Sequence, residues 1–188
     1  MPNYRRVRTP GGSYFFTLVT HRRKPLLADP ESRRVLREMI QQVRKELPFR
    51  IEAWVLLPEH LHCIWTLPQG DADYSKRWGL IKAGFSKRMR GVFRSSEWIR
   101  GSQAKHRESA IWQRRFWEHE IRDQEDFNRH MDYIHWNPVK HGQVVRVVDW
   151  PYSTFHRYVT QGVYPTDWGC ATTVDSARWK YTDFGESS

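Results

Sequence analysis

The sequence predicts an α+β fold in which an antiparallel sheet is covered by helices. Short runs rich in β-branched and aromatic residues alternate with longer stretches whose apolar residues recur at helical spacing. A Pro-Glu dipeptide joins two of the short runs, as expected of a tight reversal between antiparallel strands. The length of 188 residues suits one domain with a sizeable core.

The first half of the chain predicts three strands and one helix. Ser13–Thr20 follows a Gly-Gly turn and is the first strand. Pro30–Leu47 has apolar residues three or four positions apart and is the first helix, which a proline ends. Phe49–Leu57 and His60–Leu67 are the second and third strands, and the Pro58-Glu59 reversal makes them antiparallel neighbours.

The second half predicts two helices separated by a strand. A helix begins at Tyr74 and ends at about Val92, and the polar stretch Arg94–Ser109 reads as a flexible excursion. Ile111–Arg122 is aromatic and alternating, which predicts a fourth strand. Asp123 is a residue type that caps helices, so a last helix follows it and should stop near Asn137, before a proline.

This order, β-α-β-β-α-β and then a further helix, is the split arrangement of ferredoxin-like domains, an antiparallel sheet with helices on one face. Residues 1–150 should form this domain, and residues 151–188, rich in Trp, Tyr, Pro and Gly, an irregular tail packed on it. The chain has no apolar stretch long enough to span a bilayer, no signal-peptide core and only two cysteines. A cytoplasmic protein without a membrane partner is expected.

The net charge of +10 is unevenly distributed. Between Tyr74 and Arg94 the chain has seven Lys or Arg residues and no acidic residue. Clustered positive charge indicates a polyanionic partner, because neutralised phosphates release counterions. A surface that only aids solubility would usually mix acidic residues with basic ones. Nucleic acid is therefore the favoured partner.

Two histidines in the third strand are candidate metal ligands. His60 and His62 should emerge on one face of the strand, while Leu61, Cys63 and Trp65 point to the other, apolar face. Imidazoles held side by side can bind a divalent metal. Taken alone, the pattern also fits two ordinary histidines of a half-buried strand.

A polar face of the last helix supplies a second set of candidates. At about 100° per residue, Asp126, His130, Tyr133 and Asn137 fall together, apart from a narrow apolar stripe. A tyrosine hydroxyl with a pKa of about 10 is a weak nucleophile, and a metal that polarises the attacked phosphate would assist it. The Asn137 amide oxygen could be a third metal ligand. Alternatively, Tyr133 lies at the core edge and Asn137 caps the helix.

The two motifs together resemble those of the REP-associated tyrosine transposases, within the HUH class of nucleases. His60-Leu61-His62 resembles the His–hydrophobe–His motif, and residues 133–142, YIHWNPVKHG, resemble the tyrosine segment. The resemblance extends from residue 4 to about residue 168. Members of this family cut single-stranded DNA at or near short palindromic hairpins, called REP elements, and can rejoin strands.

The resemblance implies that Tyr133 attacks the scissile phosphate, which leaves a 5′-phosphotyrosine and a free 3′-hydroxyl. It implies Mg²⁺ or Mn²⁺ held by His60 and His62, with Asn137 at the position where the wider class places a glutamine. No nucleotide cofactor is expected, since the covalent link conserves the phosphodiester energy. The implied partner is single-stranded DNA with a hairpin, and the expected state is a monomer, with a homodimer as the alternative.

Further candidates follow from charge and position. His119 and His130 could line the site, and Glu59 is expected to face away from it. Two other functions remain open: a hairpin-binding protein without catalysis, and a metallonuclease that uses activated water instead of Tyr133. The residues expected to contact DNA are Arg5, Arg6, Lys82, Lys87, Arg88, Lys140 and His141.

Overall fold

The structure, a computed structural model, describes residues 8–94, 111–169 and 184–185. The strands are β1 (Ser13–Val19), β2 (Arg50–Leu56), β3 (His60–Thr66) and β4 (Trp117–Glu120), and the helices are α1 (Pro30–Glu46), α2 (Tyr74–Arg94), α3 (Gln124–Lys140) and α4 (Phe155–Thr160). The α+β fold is confirmed: one antiparallel sheet has the strand order β2-β3-β1-β4. The excursion predicted after α2 lies, beyond its first residue, outside the described residues.

One face of the sheet packs against α1 and α2. The Asp29 side chain caps α1 by accepting a hydrogen bond from the Ser32 backbone N–H at 2.7 Å. Trp65 of β3 stacks on Trp78 of α2 with ring centroids 3.9 Å apart. Arg77, from the basic segment, is buried and forms an ion pair with Asp71 at 2.7 Å. Its positive charge therefore has a structural role.

The opposite face is covered by α3 and the segment that follows it. Phe15, Val55 and Ile64 point to this side and pack against the buried residues of α3. Residues 152–154 run along the edge strand β2, where the Leu56 N–H donates to the Tyr152 carbonyl at 2.9 Å. α3 is therefore buried on several sides. Its buried surface is much wider than the narrow apolar stripe that the sequence predicted for this helix. The domain boundary at residue 150 stays a prediction.

The predicted fourth strand is too long. Only Trp117–Glu120 pairs with β1, whereas Ile111 and Trp112 are buried beside α2. The exposed run from Gln113 to Arg115 separates the two parts. Lys82 Nζ donates to the Gln113 carbonyl at 2.8 Å. The Gln113 N–H donates to the Val19 carbonyl at 2.9 Å and Trp112 forms an isolated bridge with Thr20, so this part touches the end of β1 without continuing the strand.

The predicted end of the last helix is also wrong. α3 continues past Pro138 to Lys140. Pro138 has no backbone N–H, so one hydrogen bond of the helix is missing. The loss is tolerated because Pro138 lies in the last turn, with only two helical residues after it. Gly142, with a φ of 64°, provides the left-handed residue that terminates it. Lys140 therefore stays on the helix, two turns after Tyr133 and on the same side.

In residues 8–94 and 111–169, none of the helices combines the length and the apolarity that crossing a bilayer requires.

His135 should make the stability of the protein depend on acid pH. Burial, with a smaller contribution from the nearby Arg157 charge, lowers the pKa of His135 to about 3. The unfolded chain takes up this proton near pH 6.5, whereas the folded chain does not until about pH 3. The free energy of unfolding should therefore fall by roughly 2–3 kcal/mol from this residue between pH 6.5 and 4.5.

Urea unfolding at several pH values measures this effect. The His135→Gln variant is the control, because an amide can still donate to Thr154 Oγ1, which lies 2.9 Å from His135 Nε2. The variant should lose less stability on acidification than the parent. Equal pH dependence in both proteins would contradict the prediction.

Candidate active site

The two histidines of β3 lie side by side on the sheet face that α3 covers. His60 and His62 are fully buried, and their ring centroids are 4.9 Å apart. Leu61, Cys63 and Trp65 belong to the core on the opposite face. The alternation predicted for this strand is therefore confirmed.

A hydroxyl group from β1 fixes the tautomer of His62. The Nδ1 atom lies 2.8 Å from Thr17 Oγ1, and the Thr17 hydroxyl donates to the Phe184 carbonyl at 2.6 Å. Since that proton goes to the carbonyl, Thr17 Oγ1 accepts the hydrogen bond from His62 Nδ1–H. The lone pair of the imidazole is consequently on Nε2.

Glu59 orients the ring of His60. Its carboxylate lies 3.0 Å from His60 Nδ1, and because a carboxylate only accepts, Nδ1 carries the proton. Burial alone would raise the pKa of the Glu59 carboxyl, but the hydrogen bond and the charges of His60 and His141 lower it. The expectation that Glu59 faces away is wrong. The Thr20 N–H donates to the backbone carbonyl of Glu59 and so anchors this residue. The Glu59 side chain then lies beside the ring of His60.

α3 brings a phenol and an amide to the same place. Asn137 Oδ1 lies 3.1 Å from His60 Nε2, and the ring centroid of Tyr133 is 5.3 Å from that of His62. Both α3 residues are fully buried. The helix cap is His141, so the interpretation of Asn137 as the cap is wrong. The structure thus brings together the residues of both motifs.

The hydroxyl and the ring of Tyr133 have separate partners. Lys140 Nζ donates to Tyr133 Oη at 2.7 Å. Phe184 stacks on the ring with centroids 3.6 Å apart and planes 7° from parallel. Tyr133 therefore has no exposed surface.

Comparison with known proteins is consistent with this geometry. The family described as "Transposase IS200 like" matches residues 10–137. A REP-associated tyrosine transposase of Escherichia coli K12 is 47% identical over 177 residues, which cover 94% of this chain and 96% of that protein. The chain belongs to the REP-associated tyrosine transposases. It is therefore a member of an enzyme class that acts on DNA.

Two further relatives extend the match. A Haemophilus influenzae protein provisionally given the same family name is 45% identical over 170 residues, 90% of this transposase chain and 94% of that protein. A solved structure of a REP-associated tyrosine transposase bound to a REP hairpin has a TM-score of 0.76 and 47% identity. It covers 94% of this chain and 96% of that one. The chain therefore matches these transposases over almost their whole length.

The donor atoms of this transposase fit a divalent cation. His60 Nε2 and Asn137 Oδ1 are hydrogen-bond partners at 3.1 Å, and both atoms can be metal ligands once the proton between them is lost. That spacing is close to the distance between neighbouring ligands around a cation whose bonds are about 2.1 Å long. The outward hydrogen bonds of both imidazoles, to Glu59 and Thr17, are those that usually orient metal-bound histidines.

A second group of donor atoms surrounds Asp126. His119 Nε2 lies 2.7 Å and His130 Nδ1 3.1 Å from the Asp126 carboxylate, and the two rings stack 4.5 Å apart. Burial alone would raise the pKa of Asp126, but hydrogen bonds from His119 and the Arg122 N–H lower it to about 2. Burial lowers the pKa of His130 to about 4. These three side chains could also hold a metal. Here His119 Nε2 binds the Asp126 carboxylate, and His130 Nδ1 donates to the Asp126 backbone carbonyl at 2.8 Å.

The candidate DNA contacts of the tyrosine segment lie in the site. Lys140 reaches the phenol, and the ring of His141 is 4.8 Å from that of His60. Their contact with DNA stays a prediction.

The three candidate DNA contacts on α2 differ in their exposure and in their partners. Lys87 is exposed, whereas Arg88 pairs with Glu38 at 2.8 Å and Lys82 holds backbone carbonyls of the segment before β4. Arg5 and Arg6 lie outside the described residues. The roles of these five residues in DNA binding also stay predictions.

The sequence analysis missed Thr17 and Phe184 as partners of the site, and it named Lys140 only as a DNA contact, not as a partner of Tyr133. Thr17 is the one polar residue in the middle of an apolar strand, which was a usable signal for a buried polar role. Lys140 lies two helical turns after Tyr133, but the proline between them suggested that the helix had ended. Nothing in the sequence around Phe184 indicates that its ring covers Tyr133.

Proposed function

We propose that this transposase cleaves single-stranded DNA beside REP-like hairpins, with Tyr133 as the nucleophile and with the assistance of a divalent metal. The observation that carries the proposal is the meeting of a phenol with two imidazoles and an amide oxygen in one buried site. Asn137 Oδ1 is 3.1 Å from His60 Nε2, and Tyr133 packs against His62. A hairpin-binding protein without catalysis has no need of this arrangement.

The reaction is a transesterification at phosphorus. Tyr133 Oη forms a bond to the scissile phosphorus, and the bond from phosphorus to the 3′-oxygen breaks. The phenol loses its proton and the departing 3′-oxygen gains one, so that the products are a 5′-phosphotyrosine and a 3′-hydroxyl. Reverse attack by a 3′-hydroxyl rejoins a strand without a nucleotide cofactor.

His60, His62 and Asn137 would hold the metal. When bound, Mg²⁺ or Mn²⁺ supplies polarisation of the phosphate oxygens. Two imidazoles favour Mn²⁺ over Mg²⁺, because Mg²⁺ prefers oxygen ligands and retains more water. Glu59 and Thr17 accept hydrogen bonds from Nδ1 of His60 and His62, respectively, which would leave Nε2 of each ring available to the metal.

Lys140 would promote loss of the Tyr133 proton. Its ammonium donates to the phenol oxygen at 2.7 Å, and a positive charge at this distance favours the phenolate. In the Lys140→Met variant, we expect the cleavage rate at neutral pH to fall about 10- to 100-fold and the rate profile to shift to higher pH. The measurement is the single-turnover rate of cleavage between pH 6 and 10.

The charge-preserving Lys140→Arg variant is the control and should retain most of the rate. If Lys140→Met lowers the rate equally at every pH, the lysine does not act on the ionisation of Tyr133.

The proposed DNA partner follows from the relatives and the charge. A transposase that is 47% identical to this chain has been solved with a REP hairpin, and this chain has a net charge of +10. We infer that it also binds a DNA hairpin with unpaired flanks, as a monomer or as a homodimer.

Labelled hairpin DNA tests the proposal. The protein is incubated with Mn²⁺ and with single-stranded hairpin DNA labelled on either side of the cleavage position, and the products are separated under denaturing conditions. A covalent species that carries only the label 3′ of the cut supports a 5′-phosphotyrosine. Cleavage with a free 5′-phosphate and no covalent species would instead favour a nuclease that uses water.

A further inference from the structure

A strained turn follows β1 and lies beside the candidate active site. Its residues Arg22 and Arg23 have φ angles of 55° and 49°, and of the residues that the structure describes only these two have a positive φ without being glycine. Most L-residues avoid this left-handed conformation, whereas glycine and asparagine adopt it more easily. The turn therefore holds two successive arginines at a conformational cost.

One buried residue, Thr20, fixes this turn to the reversal that precedes β3. The Thr20 N–H donates to the Glu59 carbonyl at 2.8 Å, and the Thr20 hydroxyl lies 2.7 Å from the Lys24 carbonyl and 2.9 Å from the Glu59 carbonyl. The Arg23 N–H donates to the Thr20 carbonyl at 3.1 Å. Backbone strain persists where surrounding contacts determine the conformation. The position of Arg23 relative to Glu59 is therefore set by the fold.

The turn brings the guanidinium of Arg23 to the carboxylate that orients His60. Arg23 Nη1 lies 3.8 Å from Glu59 Oε1, and the same oxygen atom lies 3.0 Å from His60 Nδ1. The first distance is too long for a hydrogen bond, so this contact is electrostatic. One carboxylate oxygen is thus shared between the imidazole of a proposed metal ligand and a positively charged side chain.

The two partners of this oxygen should have opposite effects on a metal at His60. A carboxylate that accepts the Nδ1–H of a metal-bound histidine raises the basicity of the ring, and its loss typically weakens metal binding about 10- to 100-fold. A cation beside that carboxylate attracts the same negative charge and repels the metal ion. Glu59 should therefore tighten metal binding, and Arg23 should weaken it.

We propose that Arg23 is a positioning residue that limits the metal affinity of the active site by acting on Glu59. This inference rests on the proposed function, because it takes the metal to be bound by His60. It assigns a role to a residue outside both sequence motifs. It also accounts for the strained turn, which places a charge beside Glu59.

Mn²⁺ binding in the absence of DNA tests the inference. Electron paramagnetic resonance of free Mn²⁺ gives the dissociation constant without any cleavage, and the His62→Ala variant gives the background from other sites. Arg23→Asn should tighten Mn²⁺ binding about two- to fivefold at low ionic strength, because it removes the charge while asparagine accepts the left-handed conformation. The gain should shrink as salt is added, since salt screens a partly exposed charge. A purely structural role of Arg23 would not produce this salt dependence.

Matched variants separate the charge of Arg23 from the conformation of the turn. Arg23→Lys keeps the charge and should bind Mn²⁺ as the parent does. Arg22→Asn removes the neighbouring, exposed charge from the same strained turn and should change the affinity less than about 1.5-fold. Glu59→Gln should weaken binding about 10- to 100-fold, and Arg23→Asn added to it should improve binding less than about 1.5-fold. Thermal unfolding of each variant shows whether its fold is intact.

The inference fails if Arg23→Asn leaves the Mn²⁺ affinity unchanged or lowers it. It also fails if Arg23→Asn tightens binding equally in the parent and in Glu59→Gln, because Arg23 would then repel the ion without acting on Glu59. A parent protein that binds no more Mn²⁺ than His62→Ala contradicts the proposed metal site itself. A parent that binds Mn²⁺ with an affinity indifferent to Arg23 contradicts this inference alone, so the two failures are distinguishable.

Discussion

Replacing Tyr133 by phenylalanine is expected to abolish the covalent protein–DNA species and to lower the cleavage rate at least about a thousandfold. The substitution removes one oxygen atom and keeps the ring. Stacking on Phe184 at 3.6 Å and the edge contact with His62 should therefore persist. A loss of activity in a folded variant would consequently report on the hydroxyl and not on packing.

The measurement is covalent capture of end-labelled hairpin DNA, with thermal unfolding as the check on folding. Tyr164→Phe is the matched control, because the Tyr164 hydroxyl binds Asp132 on another side of α3. That variant should retain cleavage. A Tyr133→Phe protein that still forms the covalent species would contradict the assignment of the nucleophile. One that still cuts, but releases free 5′-phosphate ends, would indicate that water attacks.

Removal of the metal, or of its proposed ligand His62, is expected to have a comparably large effect. Chelation should stop cleavage, and added Mn²⁺ should restore it. His62→Ala should raise the Mn²⁺ concentration for half-maximal cleavage at least about 100-fold, because it deletes a direct ligand. Thr17→Val should raise that concentration about 10- to 100-fold, since the ligand remains but loses its orienting hydrogen bond.

The matched control for these variants is His156→Ala, since His156 is an exposed histidine of α4. Its dependence on Mn²⁺ should equal that of the parent. Hairpin binding should survive His62→Ala, which separates a catalytic defect from a binding defect. Cleavage that continues at full rate in excess chelator would contradict the role of the metal.

Much of the fold could be predicted from local patterns. The alternation in His60–Thr66 and the helical spacing of α1 and α2 are properties of neighbouring residues, so the order of elements was readable. The errors occurred where tertiary contacts override local preference. Pro138 suggested the end of α3, but Gly142 terminates the helix one turn later. The aromatic alternation from Ile111 suggested a long strand, but Trp112 is buried beside α2.

For the candidate site, too, local sequence patterns predicted one part of the arrangement, and tertiary contacts decided the rest. The residue order alone determined that His60 and His62 share a strand face and that Tyr133 and Asn137 share a helix face, because both pairs follow from backbone periodicity. Resemblance to the transposases suggested that the two faces meet, and the structure provides the distances at which they do.

Only the tertiary structure decided what surrounds those residues. Thr17 contacts His62 because the register of β1 against β3 sets them opposite each other, 45 residues apart in the chain. Phe184 covers Tyr133, and residues 151–157 complete a groove with α1. Strand register and packing between distant segments depend on the shapes of many side chains at once. No short stretch of sequence contains that information, whereas the periodicity of a single strand or helix lies within one.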